Sequence, residues 1–120
     1  MLKDDAEHPI PLNLQASFGL IVDAFLKGDY ALQNHAIPGV RPIDNSTAKL
    51  IAANVKAYGD QLAPLNHAVW AHSVYRWMDD HWLLLIDLTT TGDQVSDLTL
   101  HAKLHDVANL DLEILSVHVA

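Results

Sequence analysis

The histidines are the first residues whose chemistry needs testing, because the chain has eight of them in 120 residues. His101 and His105 are four apart in a segment that alternates as a strand, so they share one face but lie roughly 13 Å apart along it. Two ligands of one zinc ion cannot be that far apart. His67 and His72 span an uncertain element boundary, and no His-Glu-x-x-His pattern occurs. The spacing therefore predicts no metal site, and the histidines are interpreted as surface residues that gain charge near pH ~6.

Acid–base chemistry is the second possibility, since a carboxylate beside a histidine is the core of many such sites. In the hairpin register derived below, His72 lies opposite Asp87. The neighbouring hydroxyl, Ser73, follows His72 directly and so points to the other face of a regular strand. Without a placed nucleophile, the pair is interpreted as structural and no catalytic residue is assigned.

Other ligand motifs are missing from the sequence. The turn acids Asp79, Asp80 and Asp93 match no calcium loop. The five glycines are scattered along the chain, so no phosphate-binding loop is present. The absence of cysteine excludes a thiol nucleophile, a disulfide scaffold and a sulfur-ligated metal. We therefore expect no cofactor.

Composition narrows the class of protein. Half of the residues are hydrophobic and 18% are charged, which is typical of one packed domain over residues 1–120. Fifteen acids against seven bases give a net charge of -8, which disfavours nucleic-acid binding and favours a basic protein partner.

Residues 1–11 are read as a loose acidic lead without a signal sequence. The longest apolar run, 82–86, is too short to cross a bilayer. We expect a cytoplasmic protein with no membrane partner.

Residues 12–59 have apolar side chains at helical spacing and are expected to form the helical half. The first helix presents a stripe that consists of Leu14, Phe18, Ile21, Val22 and Phe25. The second begins after Asp44 and ends at Gly59. Asn54 interrupts the inward stripe of this helix and needs a hydrogen-bond partner. Residues 29–34 are read as either a third short helix or an extended segment.

From residue 71 the apolar period changes to two, which predicts an antiparallel sheet over 71–119. The predicted strands are 71–78, 81–90, 96–106 and 110–119. A two-residue loop at 79–80 sets Trp77 opposite Trp82. A three-residue loop at 107–109, with Asn109 in the left-handed conformation, aligns the last two strands. The sequence thus predicts an α+β fold with two helices, or three, on one face of a four-stranded meander.

The opposite face of this predicted sheet mixes charged and aliphatic residues, which a face open only to water rarely does. We expect it to be covered by residues 1–11 and 29–42, by a second copy of the chain, or by another protein. The candidate partner-binding residues on this face are Val74, Arg76, Leu83, Leu85, Asp87, His101, Lys103, Leu115 and Val117.

The stretch SVYRWMDDHW at residues 73–82, with the segments at 87–90 and 96–100, resembles small uncharacterised bacterial proteins. In those proteins a Gly-Asp-Tyr turn, here at 28–30, and a Pro-Gly-Val segment, here at 38–40, precede a Trp-rich hairpin. The resemblance covers most of residues 14–119 and implies an α+β domain of unknown function. By size and charge, the chain is also loosely similar to bacterial immunity proteins, which implies inhibition of a toxin by binding.

Three functions follow as alternatives. The first is a non-catalytic protein-binding module, such as an immunity-like or antitoxin-like inhibitor of a basic partner. The second is a small enzyme or ligand-binding domain with a pocket between helices and sheet, lined by Asn54, Tyr58, Tyr75 and Arg76. The third is a homo-oligomer without chemistry of its own.

Overall fold

Two α-helices and a five-stranded sheet make up the computed structural model, which describes residues 1–119. The strands are β1 (His8–Pro9), β2 (Val74–Trp77), β3 (Trp82–Asp87), β4 (Leu98–Leu104) and β5 (Leu112–Val119), and the helices are α1 (Leu12–Leu26) and α2 (Asn45–Tyr58). A 3-10 turn, His67–Ala71, precedes β2. The strands pair antiparallel in chain order, so the predicted α+β meander is confirmed, with one strand more than expected.

The additional strand comes from the N-terminal lead, which is not loose. His8 pairs with Tyr75 at the edge of the sheet, where a proline such as Pro9 is tolerated because one side of the strand needs no partner. Leu2 N–H donates to Tyr75 Oη over 2.9 Å, and Trp82 Nε1 donates to Leu2 O over 3.1 Å. The two prolines exclude a helix here but do not exclude a short edge strand.

The caps predicted for the second helix are confirmed. Asp44 caps α2 by accepting from Thr47 N–H over 2.8 Å, and Gly59 closes it with a positive φ of 86°. Asn54 Nδ2 donates to Val117 O over 2.9 Å, which supplies the partner that this polar residue needs. Residues 29–34 form turns and no third helix.

Both predicted hairpin registers are correct. Trp77 lies opposite Trp82, and Asp79 has the positive φ, 75°, that the tight loop requires. Lys103 lies opposite Glu113 in the last hairpin. The prediction for Asn109 is wrong, because its φ is not positive. The Asp106 carboxylate instead holds this loop by accepting from the backbone N–H groups that follow it.

A β-bulge interrupts the pairing of β4 with β5. Ala102 lies opposite Ile114, whereas His101 lies opposite Ser116, so Leu115 is the extra residue. The bulge reverses the faces of all later residues. Val117, predicted on the far face, is therefore fully buried beneath the helices, and Val119, predicted beside it, lies opposite Leu98.

One hydrophobic cluster joins the helices to the near face of the sheet. We call this the covered face; its residues are Tyr75, Trp82, Leu84, Ile86, Leu98, Leu100, Ala102, Leu104, Leu112, Ile114 and Val117. The connection between the helices adds Leu32, Ile37 and Ile43 to the cluster. It also runs along the outer edge of β5, where Leu112 N–H donates to Gly39 O.

Candidate functional site: the back face of the sheet

The side chains that point away from the helices form the back face. They are Val74, Arg76, Leu83, Leu85, Asp87, Thr99, His101, Lys103, Glu113, Ser116 and His118. Along β3, burial alternates strictly: Leu84 and Ile86 are fully buried, while Leu83 and Leu85, at the alternate positions, stay partly exposed. The strand periodicity alone places these residues, which is why the sequence located most of them.

The predicted contact residues of β2, β3 and β4 lie side by side. Arg76, Leu83 and Lys103 form one row across the three strands, and Val74, Leu85 and His101 form the next. Each row combines aliphatic surface with a titratable or charged group. Leu115 is half-buried at the bulge, and Val117 does not belong to this face.

Neither segment expected to cover the back face does so. Residues 1–11 pack on the opposite side of the sheet, where Lys3 Nζ lies 4.8 Å from the centre of the Trp77 ring. Residues 29–42 contribute their apolar side chains to the core beneath the helices. Self-coverage by these two segments is therefore wrong, and the aliphatic side chains of the back face remain partly exposed.

A stacked pair of histidines, His101 and His118, was missed by the sequence analysis. Their ring centroids are 4.3 Å apart at 23° between planes, and Ser116 Oγ lies 3.1 Å from His118 Nδ1. His101 Nε2 is buried without a hydrogen-bond partner among the described residues. Burial, and then the neighbouring His118, lower the pKa of His101. The sequence does contain a signal for the bulge. Apolar residues occupy even-numbered positions up to Ile114 and odd-numbered positions from Leu115 to Val119.

Asp87 and His72 do not form the directly opposed pair that was predicted, because β2 begins only at Val74. Burial raises the pKa of Asp87, and the charge of His72 opposes this shift. The Ser73 hydroxyl makes its hydrogen bonds within the fold. Its Oγ donates to Val69 O over 2.7 Å and accepts from Asp87 N–H over 3.0 Å. This arrangement provides no free nucleophile at the pair.

Within residues 1–119, no group of three or more histidine, aspartate or glutamate side chains has the geometry to hold a metal ion. Over the same residues, no helix has the length and apolar character needed to span a bilayer.

The four polar residues predicted to line a helix–sheet pocket do not converge. Asn54 is bonded to the backbone of β5, and Tyr58 Oη accepts from Asp97 N–H over 3.2 Å. Tyr75 is bonded to the N-terminal lead at the other edge of the sheet, and Arg76 is on the back face.

Charges on the back face are balanced. Its bases are Arg76, Lys103 and, at the edge, Arg41; its acids are Asp87, Asp111 and Glu113. Arg41 makes a two-pronged contact with Asp111, with Nε to Oδ1 at 2.7 Å and Nη2 to Oδ2 at 2.8 Å. The remaining four bases and twelve acids of the chain therefore carry the whole net charge of -8.

Part of that acidic excess gathers at one end of the sheet. Asp79 and Asp80 form the tip of the first hairpin, and Asp106 begins the neighbouring loop. The two loops are adjacent, since the rings of His81 and His105 are 6.3 Å apart. We call these three carboxylates the acidic end.

Comparison with known proteins gives a family and no activity. No curated protein and no solved structure matches the chain. The family model of a domain of unknown function, DUF7668, matches residues 22–120, which is most of the chain. The sequence-based resemblance to an uncharacterised α+β domain is therefore confirmed, and the chain belongs to the DUF7668 family.

Proposed function

We propose that the chain is a non-catalytic protein-binding module and that the back face is its contact surface. The observation that carries the proposal is that Val74, Leu83 and Leu85 lie together on the back face and stay partly exposed among charged neighbours. Aliphatic groups surrounded by a polar rim are typical of protein interfaces. No catalytic role is proposed for the Asp87 region, where the Ser73 hydroxyl is hydrogen-bonded to Val69 O and to Asp87 N–H.

The charge distribution supports a basic partner. The partner's apolar residues would pack on the balanced back face, and its cations would reach Asp79, Asp80 and Asp106 at the acidic end. The net charge of -8 would speed the encounter at low salt, as in inhibitors of basic toxins. The finer proposal is therefore an immunity-like or antitoxin-like inhibitor acting in the cytoplasm.

A matched pair of leucine variants tests this proposal. Leu85→Asp places a charge in the centre of the back face, whereas Leu50→Asp changes an exposed leucine of α2. We expect the wild type and Leu50→Asp to capture a basic protein in stoichiometric amount at low salt, and Leu85→Asp to lose it. Equal capture by both variants would overturn the assignment of the surface.

Homo-oligomerisation is the second candidate, and the balance of charge favours it. Arg76, Lys103 and Asp87 make no ion pair within residues 1–119 and can pair with the same face of a second copy about a two-fold axis. Light scattering at micromolar concentration distinguishes the two candidates. A wild-type dimer that Leu85→Asp converts to a monomer supports self-association, and a wild-type monomer excludes it.

A further inference from the structure

A groove along α2, on the helical side of the molecule, has no role in the proposed function. One face of α2 lines it, with residues spaced mostly three or four apart: Asn45, Ala48, Lys49, Ala52, Val55 and Lys56. The end of α1 and the turns after it form the other wall. The groove consists of two clefts, of about 500 and 420 Å³, and Tyr30 lines both. Both clefts are open to solvent rather than enclosed.

The larger cleft has an apolar wall beside the polar residues Lys56, Asp60 and Gln61. Its lining includes Phe25, Leu26, Val55 and Leu62 beside Tyr30. The ring of Tyr30 stacks on Phe25, with centroids 5.0 Å apart, so its position is fixed. Burial raises the pKa of Tyr30. This cleft suits a flat apolar group that packs against an aromatic wall.

The smaller cleft is basic. Lys27, Lys49 and His35 line it together with the side-chain amides of Gln33, Asn34 and Asn45. Lys56 stands at the larger cleft, so three of the chain's five lysines border the groove. Within residues 1–119, none of these three makes an ion pair.

The two acidic side chains of the groove, Asp29 and Asp60, are hydrogen-bonded to other groups of the chain. Asp29 accepts from the backbone N–H groups of Gln33 and Asn34 and contacts His35 Nδ1 at 2.7 Å. The contact with His35, and then the two backbone hydrogen bonds, lower the pKa of Asp29. Asp60 accepts from Thr91 Oγ1 and Gly92 N–H. Hydrogen bonding leaves both carboxylates negatively charged, so the three lysines against two carboxylates give the groove a net formal charge of +1.

We propose that this groove binds a small organic anion. The carboxylate or phosphate group would lie in the basic cleft, between Lys27 and Lys49, and the flat apolar body would lie against Tyr30 in the larger cleft. In a chain of net charge -8, unpaired lysines collected beside an aromatic wall form the local environment that complements such a ligand. The site is separate from the back face, so the two proposals fail independently.

The test uses the full-length, ¹⁵N-labelled chain and four probes: phenyl phosphate, benzoate, inorganic phosphate and phenol. We expect phenyl phosphate or benzoate to shift the amide resonances of Lys49, Ala52 and Tyr30 and to bind about tenfold more tightly than phosphate or phenol. The stronger of the two anions identifies the head group. Shifts spread over the whole surface, or none at millimolar concentration, would overturn the proposal.

Charge reversal supplies the matched control. Lys49→Glu should weaken phenyl phosphate binding about tenfold, since a cation becomes an anion at the head-group position. Lys103→Glu, on the back face, should leave it unchanged. Unfolding curves of all variants verify that each is folded. Equal weakening by the control would show that only the net charge matters and would reject the groove as a site.

Discussion

The two faces of the sheet are built from the same strands but have different properties. On β3, the covered face holds Leu84 and Ile86, which are inaccessible to solvent, and the back face holds Leu83 and Leu85, which remain partly exposed. Side chains on the covered face are almost all apolar, whereas the back face alternates aliphatic groups with a balanced set of charges. The covered face thus stabilises the fold, and the back face retains surface for contact with another molecule.

This difference depends on a single residue in β5. The bulge at Leu115 returns Val117 to the covered face and turns Ser116 and His118 to the back face. Without it, Val117 would stand among the charges and His118 beneath the helices. The contrast between the two faces is therefore best tested first at this position.

The largest effect is expected from Val117→Asp. The substitution places a carboxylate in a fully buried position and should lower the free energy of unfolding by about 4 kcal/mol. Leu115→Asp, two residues earlier, should cost about 1 kcal/mol, because Leu115 is only half-buried. Urea unfolding measures both. Equal costs would mean that the two residues share a face, as in regular pairing, and would exclude the bulge.

This pair also marks how far the sequence could predict the fold. Local signals were sufficient for α2, where Asp44 and Gly59 cap the helix, and for the first hairpin, where the loop length fixes the register. The bulge was missed because strict alternation was carried through residues 112–119. The histidine pair that depends on the bulge was missed with it. The edge strand at His8 could not be foreseen, since its partner is 67 positions away at Tyr75 and no local pattern encodes that pairing.

The second prediction compares the stability costs of truncating two neighbouring leucines of β3. Leu84→Ala removes a fully buried side chain and should lower the free energy of unfolding by about 3 kcal/mol, because it leaves a cavity in a packed core. Leu85→Ala should cost about 1 kcal/mol, since its side chain is already in partial contact with water. A cost at Leu85 as large as that at Leu84 would show that the back face is covered after all.

A smaller effect is expected where α2 meets β5. Asn54→Ala removes the bond to Val117 O and should lower the free energy of unfolding by about 1 kcal/mol. Asn13→Ala, at an exposed position in α1, gives the baseline for the higher helix propensity of alanine. Thermal unfolding compares the two. If Asn54→Ala is as stable as Asn13→Ala, the side-chain bond does not contribute to docking the helix on the covered face.

The smallest effect is expected from the pH dependence of the back face. Since the pKa of His101 is lowered in the folded chain, the unfolded chain binds more protons between the ordinary value of 6.5 and that lowered value. The free energy of unfolding should therefore fall as the pH drops through this window. His101→Gln should remove that part of the fall while leaving stability at pH ~7 nearly unchanged. Asp87 acts with the opposite sign, because its pKa is raised above 3.8: as the pH falls through that raised value, its protonation favours the folded chain. Urea midpoints of the wild type and of His101→Gln at a series of pH values test the assignment of this pH dependence to His101. Parallel curves for the two proteins would contradict it.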